Sequence, residues 1–321
     1  MQIVFITGHR KSGTTMLASL FDDHNDFAVY PTDLSLMYAY YPFFNNSKYN
    51  YQKKINRIKK ILKLSLQKNL NYRIKKESIN IELFINSFLS GINKKNINNI
   101  KSLIDLLKIK FTSFYNIKKK KYFVLKETSA DIYFNKIFTK NDRNKFIHII
   151  RDPRDNYASL KSGQKSYYSN IGEDNLTILS SLINRAKLDF QFINHNKKIY
   201  GSHNYLTVKY EDLVSNPEKV MKRISKFLKV SFDKKMLAPS IFGLKILSNT
   251  FSKKKTTIIN SNSKKRWEKE LTKSEIDIIN YFFKDELKQY YNFKYSKIDY
   301  SNITNYYTRI NKKFYFNDSF K

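Results

Sequence analysis

Cysteine is absent from the 321 residues, which excludes disulfides and thiolate metal sites. The five histidines, His9, His24, His148, His195 and His203, are scattered. None falls into HExxH or another metal-ligand spacing, so no metal is expected. Acidic residues are scarce, 27 Asp and Glu against 60 Lys and Arg, for a formal charge of +33. No run reaches the ~20 apolar residues of a membrane span. No basic n-region, apolar h-region and cleavage site precede the first apolar run, "IVFIT". A soluble cytoplasmic protein is expected, with at most peripheral membrane contact.

An excess of positive charge favours nucleic acid, anionic membrane or a polyanionic substrate when it forms a compact patch. Here lysine runs such as "KKINRIKKILK" and "NIKKKKY" alternate with Asn, Ile and Tyr along the chain. An AT-rich coding sequence produces that distribution, so most lysines are read as solvated faces and no specific nucleic-acid partner is expected.

What is present is a rhythm of short apolar runs. "IVFIT" (3–7), "YFVLK" (122–126), "KFIHII" (145–150) and "YLTVKY" (205–210) read as buried parallel strands, with a further strand before Asp33 in "HNDFAVYPTD". Met16, Leu17, Leu20 and Phe21 recur at helical spacing after the first run, and a second helix is expected over about 174–196. "SNPE" (215–218) and "TKSE" (272–275) fit the capping-box pattern and predict two more helix starts. Alternating strands and helices imply an α/β, three-layer P-loop-like domain with a central parallel sheet flanked by helices. One such domain is expected over residues 1–290, with a helical insertion at about 45–120 and a C-terminal extension at 291–321 that lacks a clear period.

The stretch "GHRKSGTTML" follows the first strand. Gly8 and Gly13 keep the spacing of a phosphate loop, but Thr14 occupies the position where a Walker loop has lysine, and Lys11 precedes the turn. The amides of Ser12, Gly13, Thr14 and Thr15 can surround an oxyanion, or the segment is an ordinary strand-to-helix turn. "HIIRDPRDNYASLKSG" (148–163) puts Arg151 at the end of a later strand and Ser159 eight residues on. An arginine fork beside a hydroxyl suits a second phosphate, unless Arg151 instead pairs with Asp152 or Asp155.

"KSGTT", "RDPRDNYAS", "VKYEDLVSNPEKVMKRISKFL" and "SNSKKRWEKELT" occur in the order found in sulfotransferases that use 3'-phosphoadenosine 5'-phosphosulfate (PAPS), and from position 3 to about 287 the chain resembles that family. The opening "SGTTMLASLFDDHNDFAVY" is most similar to the branch of tyrosylprotein and bacterial carbohydrate sulfotransferases. The resemblance implies PAPS as donor and PAP as product. It implies that Lys11, Ser12, Gly13, Thr14 and Thr15 bind the 5'-phosphosulfate, with Arg10 among the cofactor-binding residues, and that Arg151 and Ser159 bind the 3'-phosphate. It also implies that Tyr210 approaches the adenine and that Ser263 and Arg266 close over the 3'-phosphate. Trp267 is read as a packing residue.

Sulfuryl transfer needs in-line placement and stabilisation of charge on the leaving phosphate, a role for Lys11. It also needs a general base. Asp33 is the first choice, with Glu127 as the backup or else as the partner of the adjoining Lys126. The acceptor group is expected to be a hydroxyl (or an amine) on a saccharide, lipid-linked glycan or peptide, and the charge suits an anionic glycan or acidic peptide. Two other readings remain open at this stage: a nucleotide or nucleoside kinase with a degenerate loop, and a non-enzymatic basic nucleic-acid-binding protein.

Overall fold

The computed structural model describes residues 1–37, 50–73, 80–246, 259, 264–294 and 297–314. Five of the apolar runs become strands: β1 (Gln2–Thr7), β2 (Phe27–Asp33), β3 (Tyr122–Lys126), β4 (Lys145–Ile150) and β5 (Tyr205–Lys209). They form one parallel sheet in the order β2-β3-β1-β4-β5. Alternate residues feed two separate cores. Ile3, Phe5, Tyr30, Phe123, Leu125 and Phe146 face one layer, and Val4, Ile6, Val29, Val124, Ile147 and Ile149 face the other. Burial on both faces explains why the runs are continuously apolar.

Helices supply the outer layers. α1 (Thr14–Ser19) follows β1. The insertion expected at about 45–120 contains α2 (Tyr51–Arg73), α3 (Ile81–Ser90) and α4 (Ile100–Phe114). Ile58, Leu62, Phe84, Phe88, Ile104 and Phe111 of these helices join the same core as Tyr30, so the insertion is packed against the sheet edge. Ser65 of α2 donates to the Asp33 carbonyl at 3.1 Å, which ties the insertion to the end of β2.

Beyond β4, α5 (Pro153–Lys161) starts with Asp152 as its N-cap and proline in the first turn. The helix expected over 174–196 runs as Asn175–Ser181, a π turn at Leu182–Ala186, and α6 (Lys187–Tyr200). The cap of α7 (Pro217–Leu228) differs by one residue from the "SNPE" expectation. Asn216 accepts from the Lys219 amide, while Ser215 ends the preceding helix and donates back to the Glu211 carbonyl. The box at α8 (Lys273–Phe282) forms as expected, with Thr272 and Glu275 satisfying each other's amides.

The chain end expected to lack a period holds a helix, α9 (Tyr300–Phe314). Ile303 and Tyr306 sit three residues apart and are buried, and the Tyr306 ring lies 5.6 Å from Phe282 of α8. The density of Tyr and Asn obscured this sparse stripe. No helix among the described residues is long and apolar enough to cross a membrane.

Candidate active site

The five strands of this sheet run in one direction, so their carboxyl ends share one edge. From one side to the other it carries Asp33 at the end of β2, Lys126 at the end of β3 with Glu127 beyond it, the Gly8–Gly13 loop after β1, Arg151 after β4 and Tyr210 after β5. The connection after β1 runs to one side of that strand, to β2, and the connection after β3 crosses to the other, to β4, which makes this the crevice where open α/β sheets bind ligands. With neighbouring strands about 4.8 Å apart, Asp33 stands roughly 14 Å from Arg151 along the edge.

The loop is tightly built. Gly8, Lys11 and Gly13 have φ of 148°, 67° and 99°, and the Ser12 amide donates to the His9 carbonyl at 3.0 Å. A Cβ on Gly8 would meet the Ile149 carbonyl oxygen at 2.2 Å, and one on Gly13 would meet the Tyr210 ring at 2.5 Å. Both glycines are therefore required by close approach as well as by backbone angle. Lys11 holds a left-handed conformation without being glycine, a strain of about 1–3 kcal/mol that persists only where the surroundings enforce it.

Those surroundings are polar clamps. Arg151 donates to the Lys11 carbonyl at 2.8 Å, and its guanidinium lies 4.4 Å from the centre of the Tyr210 ring. Asn156 of α5 donates to the Arg10 carbonyl at 3.1 Å and to the Ser12 hydroxyl at 3.0 Å. Burial first, then the charges of Arg151 and Arg266, push the Lys11 ammonium down to about 8. This crowding of cations creates a local demand for an anion.

The acids once read as rivals for Arg151 have other partners. Asp152 caps α5 and forms an ion pair with Arg154 at 2.7 Å, and Asp155 accepts from the amides of Lys265 (2.7 Å) and Trp267 (3.2 Å). Asp155 thereby docks the late segment over α5, where Trp267 packs on the Arg154 guanidinium at 4.2 Å. Arg266 in that segment forms a two-pronged pair with Glu270, at 2.8 and 3.0 Å. Ser159 is half-buried on α5. Ser263 lies outside the described residues. The Arg10 guanidinium turns to Glu173 (2.8 Å) and the Tyr168 ring, so Arg10 meets the loop only through its backbone.

Across the edge, Lys126 is buried, and its Nζ contacts Oδ1 of Asp33 at 2.5 Å. The alternative in which Glu127 partners the adjoining Lys126 does not form: successive residues of an extended chain point to opposite faces, and the lysine reaches across to β2. Glu127, only 1 % exposed, accepts from the Ser35 and Thr128 amides. Burial, then the neighbouring Asp33 charge, pushes its carboxyl up to about 8. Asp33 keeps a third of its side chain exposed. Lys126, Asn156 and Glu211, whose carboxylate accepts from the Asp152 amide at 2.9 Å, were missed by sequence reasoning. A lysine ending the apolar run "YFVLK" was the one available signal.

Strand order and loop together define a P-loop-like α/β protein. The family model described as the sulfotransferase family matches residues 3–234, and the chain belongs to that family. No curated protein matches the chain. Among solved structures it is similar to the sulfotransferase domain from the curacin biosynthetic pathway. That similarity is 16% identity and a TM-score of 0.56, over 88% of this chain and 97% of that one. It is also similar to the sulfotransferase domain of the Synechococcus PCC 7002 olefin synthase, at 17% identity and a TM-score of 0.53, over 97% and 94%. At these identities the likeness shows the shared fold.

Proposed function

We propose that the protein moves the sulfuryl group of PAPS to a hydroxyl-bearing acceptor by in-line transfer. The observation that carries this reading is the half-buried Lys11 ammonium on a strained loop, clustered with Arg151 and with Arg266. The donor set fits the nucleotide: cations and hydroxyls line the loop side, while Asp152, Asp155 and Glu211 are committed to backbone amides or Arg154. When bound, PAPS supplies an activated sulfuryl group and a phosphate leaving group.

Lys11, Ser12, Gly13, Thr14 and Thr15 hold the 5' end. Arg151, with Ser159, Ser263 and Arg266, takes the 3'-phosphate, and Tyr210 flanks the base. For Arg266 this requires exchange of Glu270 for phosphate. Lys11 places its proton-bearing nitrogen where negative charge grows on the leaving oxygen, a stabilisation worth most in the transition state. Asp33 is the base that receives the acceptor's proton, because it is the exposed carboxylate of the pair, and Lys126 orients it. Glu127 braces the Ser35 and Thr128 amides behind it. The basic surface favours an anionic glycan or acidic peptide as acceptor.

Incubation of the purified protein with PAPS and fractionated glycans, lipids and peptides should yield a product heavier by one sulfate. Phosphate gain that depends on ATP and magnesium would instead establish a kinase, a reading disfavoured by Thr14 at the lysine position.

A further inference from the structure

Behind the phosphate loop lies a polar pocket that the transfer chemistry does not use. His9, 5 % exposed, points inward from the loop, and neither ring nitrogen has a hydrogen-bond partner among the described residues. Its Nδ1 is 3.9 Å from Oδ2 of Asp189 on α6, too far for a direct bond. Asp189 Oδ2 accepts from the Ser129 hydroxyl at 2.9 Å, while its Oδ1 lacks a partner, as does Oδ1 of buried Asn156. His9, Asn156 and Asp189 line one cavity of about 10 Å³, together with His148, Ile150, Leu182 and Phe190. That volume is about what one water needs.

Four polar atoms without a protein partner gather around this one cavity, and buried donors and acceptors in folded proteins are nearly always paired, with protein or with ordered water. The charge balance selects the occupant. Arg10 and Arg185 flank His9 and Arg151 lines the cavity, which opposes a cation, while burial and the neighbouring Asp131 push the Asp189 carboxyl well above the usual carboxylate range and a space of about 10 Å³ is too small for a polyatomic anion. Burial, then Arg10 and Arg185, holds His9 well below the usual imidazole range, so the ring is neutral with one donor and one acceptor nitrogen. One water can accept from the protonated ring nitrogen and donate to Oδ1 of Asn156 and Oδ1 of Asp189.

We infer that His9, Asn156 and Asp189 build a site for one bridging water behind the loop, and that through it His9 is a positioning residue for the 5' end of the nucleotide. The link to function is short. Asn156 grips the Arg10 carbonyl and the Ser12 hydroxyl, the His9 carbonyl accepts from Ser12, and the strained Lys11 sits between these anchors. Water on the far side of His9 and Asn156 holds both anchors against α6, so the loop keeps its shape before ligand arrives.

This inference rests on the PAPS reading and is tested by binding alone. PAP occupies the loop with its 5'-phosphate, whereas adenosine 3'-monophosphate carries only the phosphate assigned to Arg151. In calorimetric titrations His9→Ala should weaken PAP about tenfold or more and adenosine 3'-monophosphate less than about threefold. His9→Gln, whose amide restores a donor and an acceptor, should recover most of the PAP affinity. Should the alanine variant fail to fold, His9→Leu fills the volume without polar atoms and should show the same selective loss. Equal losses for both ligands, or none, would overturn the positioning role. Wild-type protein that binds neither ligand would overturn the nucleotide reading itself, and this inference with it.

Discussion

The β1-β4-β5 half of the sheet edge and the β2-β3 half carry similar side chains but secure them differently. On the first, polar groups bind the backbone of distant segments: Arg151 holds Lys11, Asn156 holds Arg10, Glu211 holds Asp152, and Asp155 holds Lys265 and Trp267. On the second, Lys126 and Asp33 form one side-chain pair, with Glu127 beneath and a third of Asp33 open to solvent. A site woven from backbone clamps is pre-organised for one constant ligand. An exposed carboxylate beside a buried ammonium suits an incoming hydroxyl whose remainder varies.

Substitutions should separate the halves. The largest effect is expected at Asp33. Loss of a general base commonly costs about a hundred- to ten-thousandfold, so Asp33→Asn should lower turnover by that much at saturating PAPS, with PAP affinity nearly unchanged. Glu127→Gln should do much less, since an amide still accepts from one of the two backbone donors. A severe defect in Glu127→Gln beside a mild one in Asp33→Asn would reverse their roles.

Next comes Lys11→Met, which should lower turnover about a hundredfold or more while PAPS affinity falls less. Near-normal turnover would leave the loop as an anion cradle only.

The smallest effect is the dependence on pH. The Lys11 ammonium, pushed down to about 8, loses its proton as pH rises through that value. Anion binding favours the charged form, so PAP affinity should fall as pH rises above about 8, by at most about tenfold per unit. The stability effect has the opposite sign. Between about 8 and the lysine's ordinary value the unfolded chain binds the extra proton, so Lys11's contribution to stability rises with pH there. Lys11→Met should flatten the binding profile, and an unchanged slope in that variant would assign the titration elsewhere.

The contrast between the halves also explains what the sequence disclosed. Gly8, Gly13, Lys11 and Arg151 were legible because backbone approach and strand ends impose fixed spacings on neighbouring residues. The strand runs were legible because both sheet faces are buried. Lys126 and Asp33 are 93 residues apart and meet only because β2 and β3 are neighbours, a pairing that no local pattern encodes. For the same reason Asp152 and Asp155 looked like partners for Arg151 by proximity in sequence, although helix geometry sends them to a cap and to the 265–267 backbone. Ser159 and Ser263 retain their assignments through resemblance alone.

The central claim is that the clamped half receives a nucleotide with phosphates at both ends, and titration of wild type and Arg151→Ala with PAP and with adenosine 5'-phosphosulfate tests it most directly. Only PAP carries the 3'-phosphate. Losing the arginine should weaken PAP roughly thirtyfold or more. Adenosine 5'-phosphosulfate should lose no more than about fivefold, the share owed to the lost hydrogen bond from Arg151 to the Lys11 carbonyl. Equal losses for the two ligands would contradict the account.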